Sequence, residues 1–194
     1  MNFKDSKTKN NLAKAFAGEC QEGARYQFIA KAAEMEGLDY VSTVIRKLAH
    51  NEMAHAWVFY KHLIELGGDM ENIEVSGGYP LMCPELKKSL SACAGMELSE
   101  AKNIYPSFAK IAKDEGFEDV AASFTEVAKV ENCHHMLISE LEKKYKNKKL
   151  YKVEDKNKWK CSNCGHEEMK KESWKDCPLC SQPQGQVMVP LADS

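Results

Sequence analysis

Glutamate and histidine recur at a fixed spacing inside two apolar helical stripes of the 194-residue chain. Glu52 is followed by His55, and Glu131 is followed by His134, so each pair is three positions apart. Residues three apart lie on the same face of an α-helix, so one carboxylate and one imidazole can reach the same ion. Because ionisable groups on a buried helix face are costly to desolvate, the pattern indicates compensating cations.

An internal repeat supplies more carboxylates. Glu19 lies one helix before the first Glu-x-x-His pair, and Glu97 lies one helix before the second. A four-helix bundle holds two metal ions when two helices supply one glutamate each and the other two supply Glu-x-x-His. Oxygen ligands with few imidazoles favour iron or manganese over zinc. We therefore predict a two-metal site in which Glu52 and Glu131 bridge the ions.

Two further acids and two tyrosines follow the same repeat. Glu22 and Glu100 each come three positions after one of the upstream glutamates. We predict Glu100 as a ligand, whereas Glu22 is either a ligand or a solvent-facing acid. Tyr26 and Tyr105 each lie about two helical turns beyond the upstream glutamates, and we predict that their hydroxyls donate hydrogen bonds to the ligands.

Four long segments position these groups. Apolar residues recur at alternating steps of four and three along residues 12–33, 41–66, 86–111 and 120–145, which is typical of helices in a bundle. Pro106 lies inside the third segment and predicts a kink there, since proline removes a backbone hydrogen bond. The pattern predicts a mainly α fold.

The connections between these segments predict the topology. Short turns at Gly37 and Gly116 close the first and second pairs of segments, which indicates two antiparallel hairpins. The connection 67–84 between the hairpins is rich in glycine and proline. About 16 extended residues cover about 50 Å, and a helix of about 30 residues is about 45 Å long. This connection can therefore cross the whole bundle, which gives a ferritin-like four-helix bundle with one long crossover.

Four cysteines near the C-terminus form two Cys-x-x-Cys turns with twelve residues between them. They are Cys161, Cys164, Cys177 and Cys180. This spacing predicts a tetrahedral thiolate site, structural if it holds zinc and able to carry one electron if it holds iron. The segment around it has too few apolar residues for a large core. We predict a bundle domain of residues 1–147 and a small metal-knuckle domain of residues 148–194.

Composition excludes several classes of protein. The formal net charge of -2 provides no basic field for nucleic acid, and no apolar run approaches the length of a membrane span. Residues 1–11 lack the apolar core of a secretion signal, so we predict a cytoplasmic protein. Thiols stay reduced there. We therefore expect the remaining cysteines to be small buried hydrophobic residues; they are Cys20, Cys83, Cys93 and Cys133.

Three motifs resemble signatures of the rubrerythrin family. Residues 18–26, GECQEGARY, are similar to its first-helix signature, and residues 104–112, IYPSFAKIA, are similar to its third-helix signature. WKCSNCG at 159–165 and CPLC at 177–180 resemble its C-terminal rubredoxin-like domain. In combination these motifs are specific, and the resemblance covers nearly the whole chain.

The resemblance implies a ferritin-like di-iron domain joined to a mononuclear iron centre with four cysteine ligands. It implies a peroxidase that reduces hydrogen peroxide in defence against oxidative stress. It further implies that the electrons originate from NADH and that a separate reductase or rubredoxin delivers them. By matching positions, the di-iron ligands are Glu19, Glu52, Glu97, Glu100, Glu131 and His134. His55 is implied to exchange with a carboxylate, predicted to be Glu100, and the family implies a head-to-tail homodimer.

One departure and two rival functions stay open. The family usually has a small residue at the position of Glu22, and an acid there predicts a more symmetric site, as in the rubrerythrin-like symerythrins. A ferroxidase or iron-storage protein is the first rival, and it needs no thiolate centre. A scaffold protein with a zinc ribbon is the second. The fusion of an oxidant-reactive site to an electron carrier favours the peroxidase.

Overall fold

The computed structural model describes residues 2–68, 72–82 and 85–191 of the chain. Within these ranges four long helical segments form the bundle that the apolar periodicity predicts. The first, second and fourth segments are α1 (Lys7–Met35), α2 (Asp39–Gly67) and α5 (Glu118–Lys146). The predicted four-helix bundle is confirmed.

The third segment is divided where its sequence contains proline. It consists of α3 (Leu86–Ser99), a π-helical turn (Glu100–Ile104) and α4 (Tyr105–Asp114). The backbone N–H of Tyr105 donates to the carbonyl of Glu100, five residues earlier, and Pro106 has no N–H to continue an α-helical pattern. Single π turns within helices are frequent at functional sites, and this one begins at a predicted ligand.

The two hairpin turns have the same construction. Gly37 and Gly116 adopt φ angles of +72° and +88°, a region that favours glycine. In the first turn the N–H of Leu38 donates to Ala33 at 2.9 Å, and in the second the N–H of Phe117 donates to Ala112 at 2.8 Å. Both are the six-residue bonds of a Schellman C-cap. The sequence repeat is therefore a structural repeat.

Two apolar clusters fill the two ends of the bundle. One cluster contains Ile45, Leu86 and Leu141 and lies at the end where α1 turns into α2. The other contains Leu12 and Leu63 and lies at the opposite end. Because α2 ends in the second cluster and α3 begins in the first, the connection between them runs the length of the bundle. The predicted crossover is confirmed, although residues 69–71 near its beginning and residues 83 and 84 at its end lie outside the described ranges.

The C-terminal segment contains a small sheet packed beside the bundle. Strands β1 (Lys152–Lys160) and β2 (Glu167–Glu172) pair antiparallel, and the side chain of Trp159 on β1 is fully buried. Val189 belongs to the apolar cluster at the α1–α2 end of the bundle. Gly185 approaches Gly37 so closely that an added Cβ would lie 1.9 Å from the Gly37 carbonyl oxygen. The division into domains 1–147 and 148–194 stays a prediction, and residues 1 and 192–194 lie outside the described ranges.

Cysteines outside the C-terminal segment vary in exposure. Cys93 is buried as predicted, and Cys20 is half-buried. The prediction is wrong for Cys133, which is exposed because it lies on the outer face of α5. Cys83 lies outside the described residues. Among the helices of the described ranges, none has the length and apolar character needed to cross a bilayer.

Candidate metal centres

The middle of the bundle holds two overlapping clusters of carboxylates and imidazoles. The first contains Glu19, Glu52, His55 and Glu131, and the second contains Glu52, Glu97, Glu131 and His134. In each cluster one ligand atom per residue lies within 4.8 Å of the others. All four helical segments contribute, and Glu52 and Glu131 belong to both clusters. The helices thus bring together six of the predicted ligands.

The histidines face opposite oxygens of the shared carboxylates. His55 Nδ1 lies 3.0 Å from Glu52 Oε2 and 2.9 Å from Glu131 Oε1. His134 Nδ1 lies 3.1 Å from Glu52 Oε1 and 2.8 Å from Glu131 Oε2. Each carboxylate therefore presents one oxygen to each imidazole. This is the arrangement that two adjacent cations need if both carboxylates bridge them.

The cluster is almost completely shielded from water. Glu19, Glu52, Glu97 and Glu131 are each at most 2% exposed. Four carboxylate oxygens are buried without a hydrogen-bond donor: both oxygens of Glu131, Oε1 of Glu52 and Oε2 of Glu97. The ring nitrogen Nδ1 of His134 is also buried without a hydrogen-bond partner. Buried acceptors without a partner are costly, and buried charges are stable when they are paired or coordinate metals. The residues present therefore fit a pair of metal ions.

The pKa shifts of these carboxyl groups have the same origin. Burial raises the pKa of Glu19 and of Glu97 well above the usual range, and neighbouring carboxylates raise both further. Burial also opposes ionisation of Glu131, but the adjacent imidazoles of His134 and His55 outweigh it and lower the Glu131 pKa to about 2. Cations between the carboxylates would favour the ionised form of all of them.

Two buried tyrosines connect the hairpins at this site. The Tyr26 hydroxyl donates to a carboxylate oxygen of Glu97, and the Tyr105 hydroxyl donates to one of Glu19. Both rings are at most 2% exposed. Tyr26 follows Glu19 on the same helix but bonds to Glu97 of the other hairpin. Tyr105 follows Glu97 in the same segment but bonds to Glu19. The hydroxyls therefore fix two carboxylates from across the bundle.

Glu22 and Glu100 lie beside the clusters but outside both. Glu100 is half-buried at the start of the π turn, and Glu22 is buried with its carboxylate 3.3 Å from Arg25 Nη2. Burial, reinforced by neighbouring carboxylates, raises the pKa of Glu22 to about 7 and that of Glu100 to about 11. Glu22 is thus not a solvent-facing acid. Whether either residue binds metal stays a prediction.

The sequence analysis did not select Asn51. Its Nδ2 lies 3.2 Å from His134 Nε2, the ring nitrogen that faces away from the carboxylates. One difference between the two halves of the sequence repeat could have drawn attention to Asn51. Asn51 directly precedes Glu52, whereas the matching position before Glu131 is occupied by Val130.

The four C-terminal cysteines form a second candidate centre. Their sulfurs lie within 4.8 Å of one another, with 3.8 Å between Cys161 Sγ and Cys180 Sγ and 3.7 Å between Cys164 Sγ and Cys177 Sγ. A tetrahedron with metal–sulfur bonds of about 2.3 Å has edges of about 3.8 Å. The cysteine sulfurs are therefore already at the spacing of a tetrahedral thiolate site.

Local backbone geometry supports this cysteine cluster. Gly165 and Ser181 follow the two knuckles at matching positions, with φ angles of +77° and +58°. Serine therefore adopts the left-handed conformation at the position where the sequence lacks a second glycine. The backbone N–H of Gln182 and the side chain of Asn163 hydrogen bond to Cys180 and lower its pKa to about 6, which favours the thiolate.

Comparison with known proteins agrees with both centres. The sequence model of the family described as Rubrerythrin matches residues 10–142 and 88–171. The chain belongs to the rubrerythrin family. It is 42% identical over 183 residues to Rubrerythrin-1 of Clostridium acetobutylicum, covering 94% of this chain and 93% of that protein. It is 39% identical over 189 residues to rubrerythrin of Clostridium perfringens, covering 96% of each.

Solved structures extend this comparison to the fold. Partially reduced nigerythrin matches with a TM-score of 0.63 at 25% identity, covering 98% of this chain and 94% of nigerythrin. Symerythrin from Cyanophora paradoxa shares the fold, with a TM-score of 0.61 at 21% identity over 72% of this chain and 85% of symerythrin.

Membership of the rubrerythrin family identifies the metal. The cofactors are a di-iron pair at the carboxylate–histidine site and a mononuclear iron at the four cysteines. Iron accepts both oxygen-rich and all-thiolate ligand sets, so one element suits both centres. The family supports an oxidoreductase role for the chain.

Proposed function

We propose that this rubrerythrin-family protein is a peroxidase that reduces hydrogen peroxide to water in the cytoplasm, in defence against oxidative stress. One observation carries the proposal. A single chain combines two buried, overlapping clusters of carboxylates and histidines with a four-thiolate centre that is suited to one-electron transfer. Iron storage needs only the first of these sites.

The proposal assigns ligands to each centre. In the bundle the irons are held by Glu19, Glu52, His55, Glu97, Glu100, Glu131 and His134. Glu100 would exchange with His55 as the redox state of bound iron changes. Two observations support this role: Glu100 is near the Glu19 carboxylate, and it begins a π turn rather than a regular helix. The C-terminal iron is held by Cys161, Cys164, Cys177 and Cys180.

Reduction of one peroxide molecule consumes two electrons and two protons and yields two waters. Bound iron supplies the electrons that cleave the O–O bond. The hydroxyls of Tyr26 and Tyr105 hold protons beside the site and keep the carboxylates of Glu97 and Glu19 in position. The apolar clusters at both ends of the bundle exclude bulk water from the reaction.

A cavity of about 570 Å³ offers peroxide a route to this site. Its inner wall includes Glu22, Glu100 and Tyr105, and its outer wall is formed by residues 76–80 of the crossover connection. The Tyr79 hydroxyl donates to the Lys14 carbonyl oxygen at 3.2 Å, which fastens the connection to α1. Since the half-buried Glu100 lies on this side, we place substrate access here.

The proposed partners follow from the two centres. An NADH-dependent reductase or a rubredoxin would deliver electrons to iron held by the four cysteines, and this centre would supply them to the carboxylate–histidine site. Within one chain the cysteine segment packs at the α1–α2 turn, while Glu52 lies thirteen residues into α2, or about 20 Å along the helix. A head-to-tail homodimer shortens this path by placing the cysteine iron of one subunit near the di-iron pair of the other.

Anaerobic addition of hydrogen peroxide to the chemically reduced protein tests the proposal. We expect one peroxide to oxidise each iron pair without oxygen, followed by turnover when NADH and a reductase are added. An absorption spectrum taken before and after each addition measures both steps. A reduced pair that ignores peroxide, combined with cage assembly and mineral uptake from excess Fe(II) and oxygen, would instead establish a ferroxidase.

A further inference from the structure

The two histidines of the di-iron site differ in what their outer nitrogens contact. His55 and His134 both direct Nδ1 towards the shared carboxylates. His134 Nε2 lies 3.2 Å from the Asn51 amide. For His55 Nε2, the described part of the chain provides no hydrogen-bond partner. The inner environments of the histidines are therefore alike, and the outer ones are not.

Metal binding determines the chemistry at this contact. An imidazole that gives its Nδ1 lone pair to a cation carries its proton on Nε2, so Nε2 becomes a hydrogen-bond donor. The Asn51 amide has an oxygen acceptor and a nitrogen donor that exchange places by a half-turn of the group. In the iron-loaded protein the amide oxygen therefore accepts the Nε2–H of His134.

We propose that Asn51 is a positioning residue that fixes the ring of His134 and so makes the irons unequal. This inference rests on the proposed ligand roles of the two histidines. A ligating histidine is oriented by the group that accepts its other N–H, and loss of that acceptor costs 10–100-fold in metal affinity or activity. His134 thus has a fixed orientation that His55 lacks.

The sequence repeat supports the same asymmetry. Asn51 on α2 reaches across to the histidine of α5, and the matching position on α5 is Val130. Valine has no side-chain acceptor. The repeat therefore preserves both Glu-x-x-His pairs but provides the outer acceptor for only one of the histidines.

Substitution at this position is structurally tolerable. Asn51 is half-buried and lines a cavity of about 370 Å³ together with Leu48, Val130 and Leu137. Leucine has the same number and branching of side-chain heavy atoms as asparagine, and this wall is largely apolar. Asn51→Leu removes the acceptor, whereas Asn51→Asp keeps an oxygen in the same place. Asn51→Ala provides a smaller second variant, and Asn10→Leu is the matched change at an exposed position of α1.

Chelator competition with the iron-loaded, reduced full-length protein provides the test, with iron counted per chain under anaerobic conditions. We expect Asn51→Leu and Asn51→Ala to hold one iron of the pair 10–100-fold less tightly. Asn51→Asp and Asn10→Leu should match the unmodified protein. Retention of the cysteine iron, followed by its own absorption, together with an unchanged far-UV circular dichroism spectrum of the helices, shows that each variant is folded.

Two results would overturn the inference. One is wild-type iron retention in a folded Asn51→Leu or Asn51→Ala variant. The other is equal loss in Asn51→Asp and Asn51→Leu, which would mean that the amide acts through packing rather than as an acceptor. Failure of the proposed function is distinguishable, because in that case the unmodified protein would hold its iron pair yet not react with peroxide.

Discussion

Glu52 and Glu131 divide their four carboxylate oxygens between the same two histidines. Each gives one oxygen to His55 and the other to His134, at 2.8 to 3.1 Å. This geometry follows from the Glu-x-x-His repeat, because each motif places its carboxylate and its imidazole on one helix face. Two such faces opposed across the bundle create two adjacent candidate metal positions joined by two shared carboxylates.

Removing a tyrosine hydroxyl should slow the reaction with peroxide. Tyr26→Phe leaves an oxygen of Glu97 without its donor, and Tyr105→Phe does the same to Glu19. We expect each variant to be oxidised by peroxide 10–100-fold more slowly, measured by stopped-flow absorption on reduced protein. Tyr40→Phe, at the start of α2, is the control for loss of a hydroxyl from a buried tyrosine. Equal rates in all three variants would remove the tyrosines from the mechanism.

Loss of the cysteine iron should separate a single oxidation from continuous turnover. Cys161→Ser removes one of four thiolates spaced for a tetrahedral site. We expect turnover driven by NADH and a reductase to stop, while chemically reduced protein is still oxidised once by peroxide at the normal rate. Ser162→Ala, which changes a residue within the same knuckle without removing a thiolate, is the control. Unchanged reductase-driven turnover in Cys161→Ser would contradict the electron relay.

Releasing the crossover connection should open the proposed substrate route. Tyr79→Phe removes the bond to the Lys14 carbonyl, a contact worth about 1 kcal/mol, so opening should become about fivefold more favourable. We expect a bulky organic hydroperoxide to react several times faster than with the unmodified protein. Tyr60→Phe changes an exposed tyrosine on α2 that does not line this cavity and should have no effect. A rate that Tyr79→Phe leaves unchanged would place the access route elsewhere.

The Glu115 carboxylate, which caps the N-terminus of α1, should make the stability of the fold depend on pH. Glu115 accepts hydrogen bonds from the backbone N–H groups of Lys7 and Thr8 at 3.0 and 2.9 Å and from the Thr8 hydroxyl at 2.6 Å. Partial burial opposes its ionisation, but these bonds outweigh burial and lower the Glu115 pKa. A capping carboxylate of this kind contributes about 1 kcal/mol.

The sign of this pH effect follows from the lowered pKa. The stabilisation is complete above the unfolded pKa of about 4.3 and is lost as pH falls through the lower folded value. Urea unfolding should therefore find Glu115→Gln less stable at pH 7, with the difference fading below about pH 4. Glu154→Gln, which is well exposed, is the control. A difference that persists unchanged in acid would show that the charge of Glu115 is not responsible.

Local patterns predicted most of the bundle and its site. In any regular α-helix, residues three positions apart lie on the same face. The shared face of Glu52 and His55, and that of Glu131 and His134, could therefore be predicted without knowing the tertiary structure. The glycines at both hairpin turns likewise predicted a helix end, and both adopt a positive φ angle there. These features depend on residues close in sequence.

The features that were missed depend on contacts between distant segments. Tyr26 was predicted to donate to a ligand, but the pattern did not indicate that this ligand is a glutamate 71 positions away. The contact of Asn51 with a histidine 83 positions away was not predicted at all. The packing of Gly185 against Gly37 joins the cysteine segment to the first hairpin turn. The π turn at Glu100 has a local cause, since Pro106 lacks an N–H, but proline allows a kink of more than one form.

Iron counting in the unmodified protein and in Glu131→Gln tests most directly whether the shared carboxylates hold the irons. Metal analysis should be combined with Mössbauer spectra, which distinguish thiolate-bound from oxygen-bound iron. We predict an iron pair in the bundle and a single cysteine-bound iron in the unmodified chain. In Glu131→Gln we predict loss of iron from the bundle with the cysteine iron retained. An unchanged iron pair in Glu131→Gln, or a bundle that takes up no iron in the unmodified chain, would contradict a di-iron site built on these carboxylates.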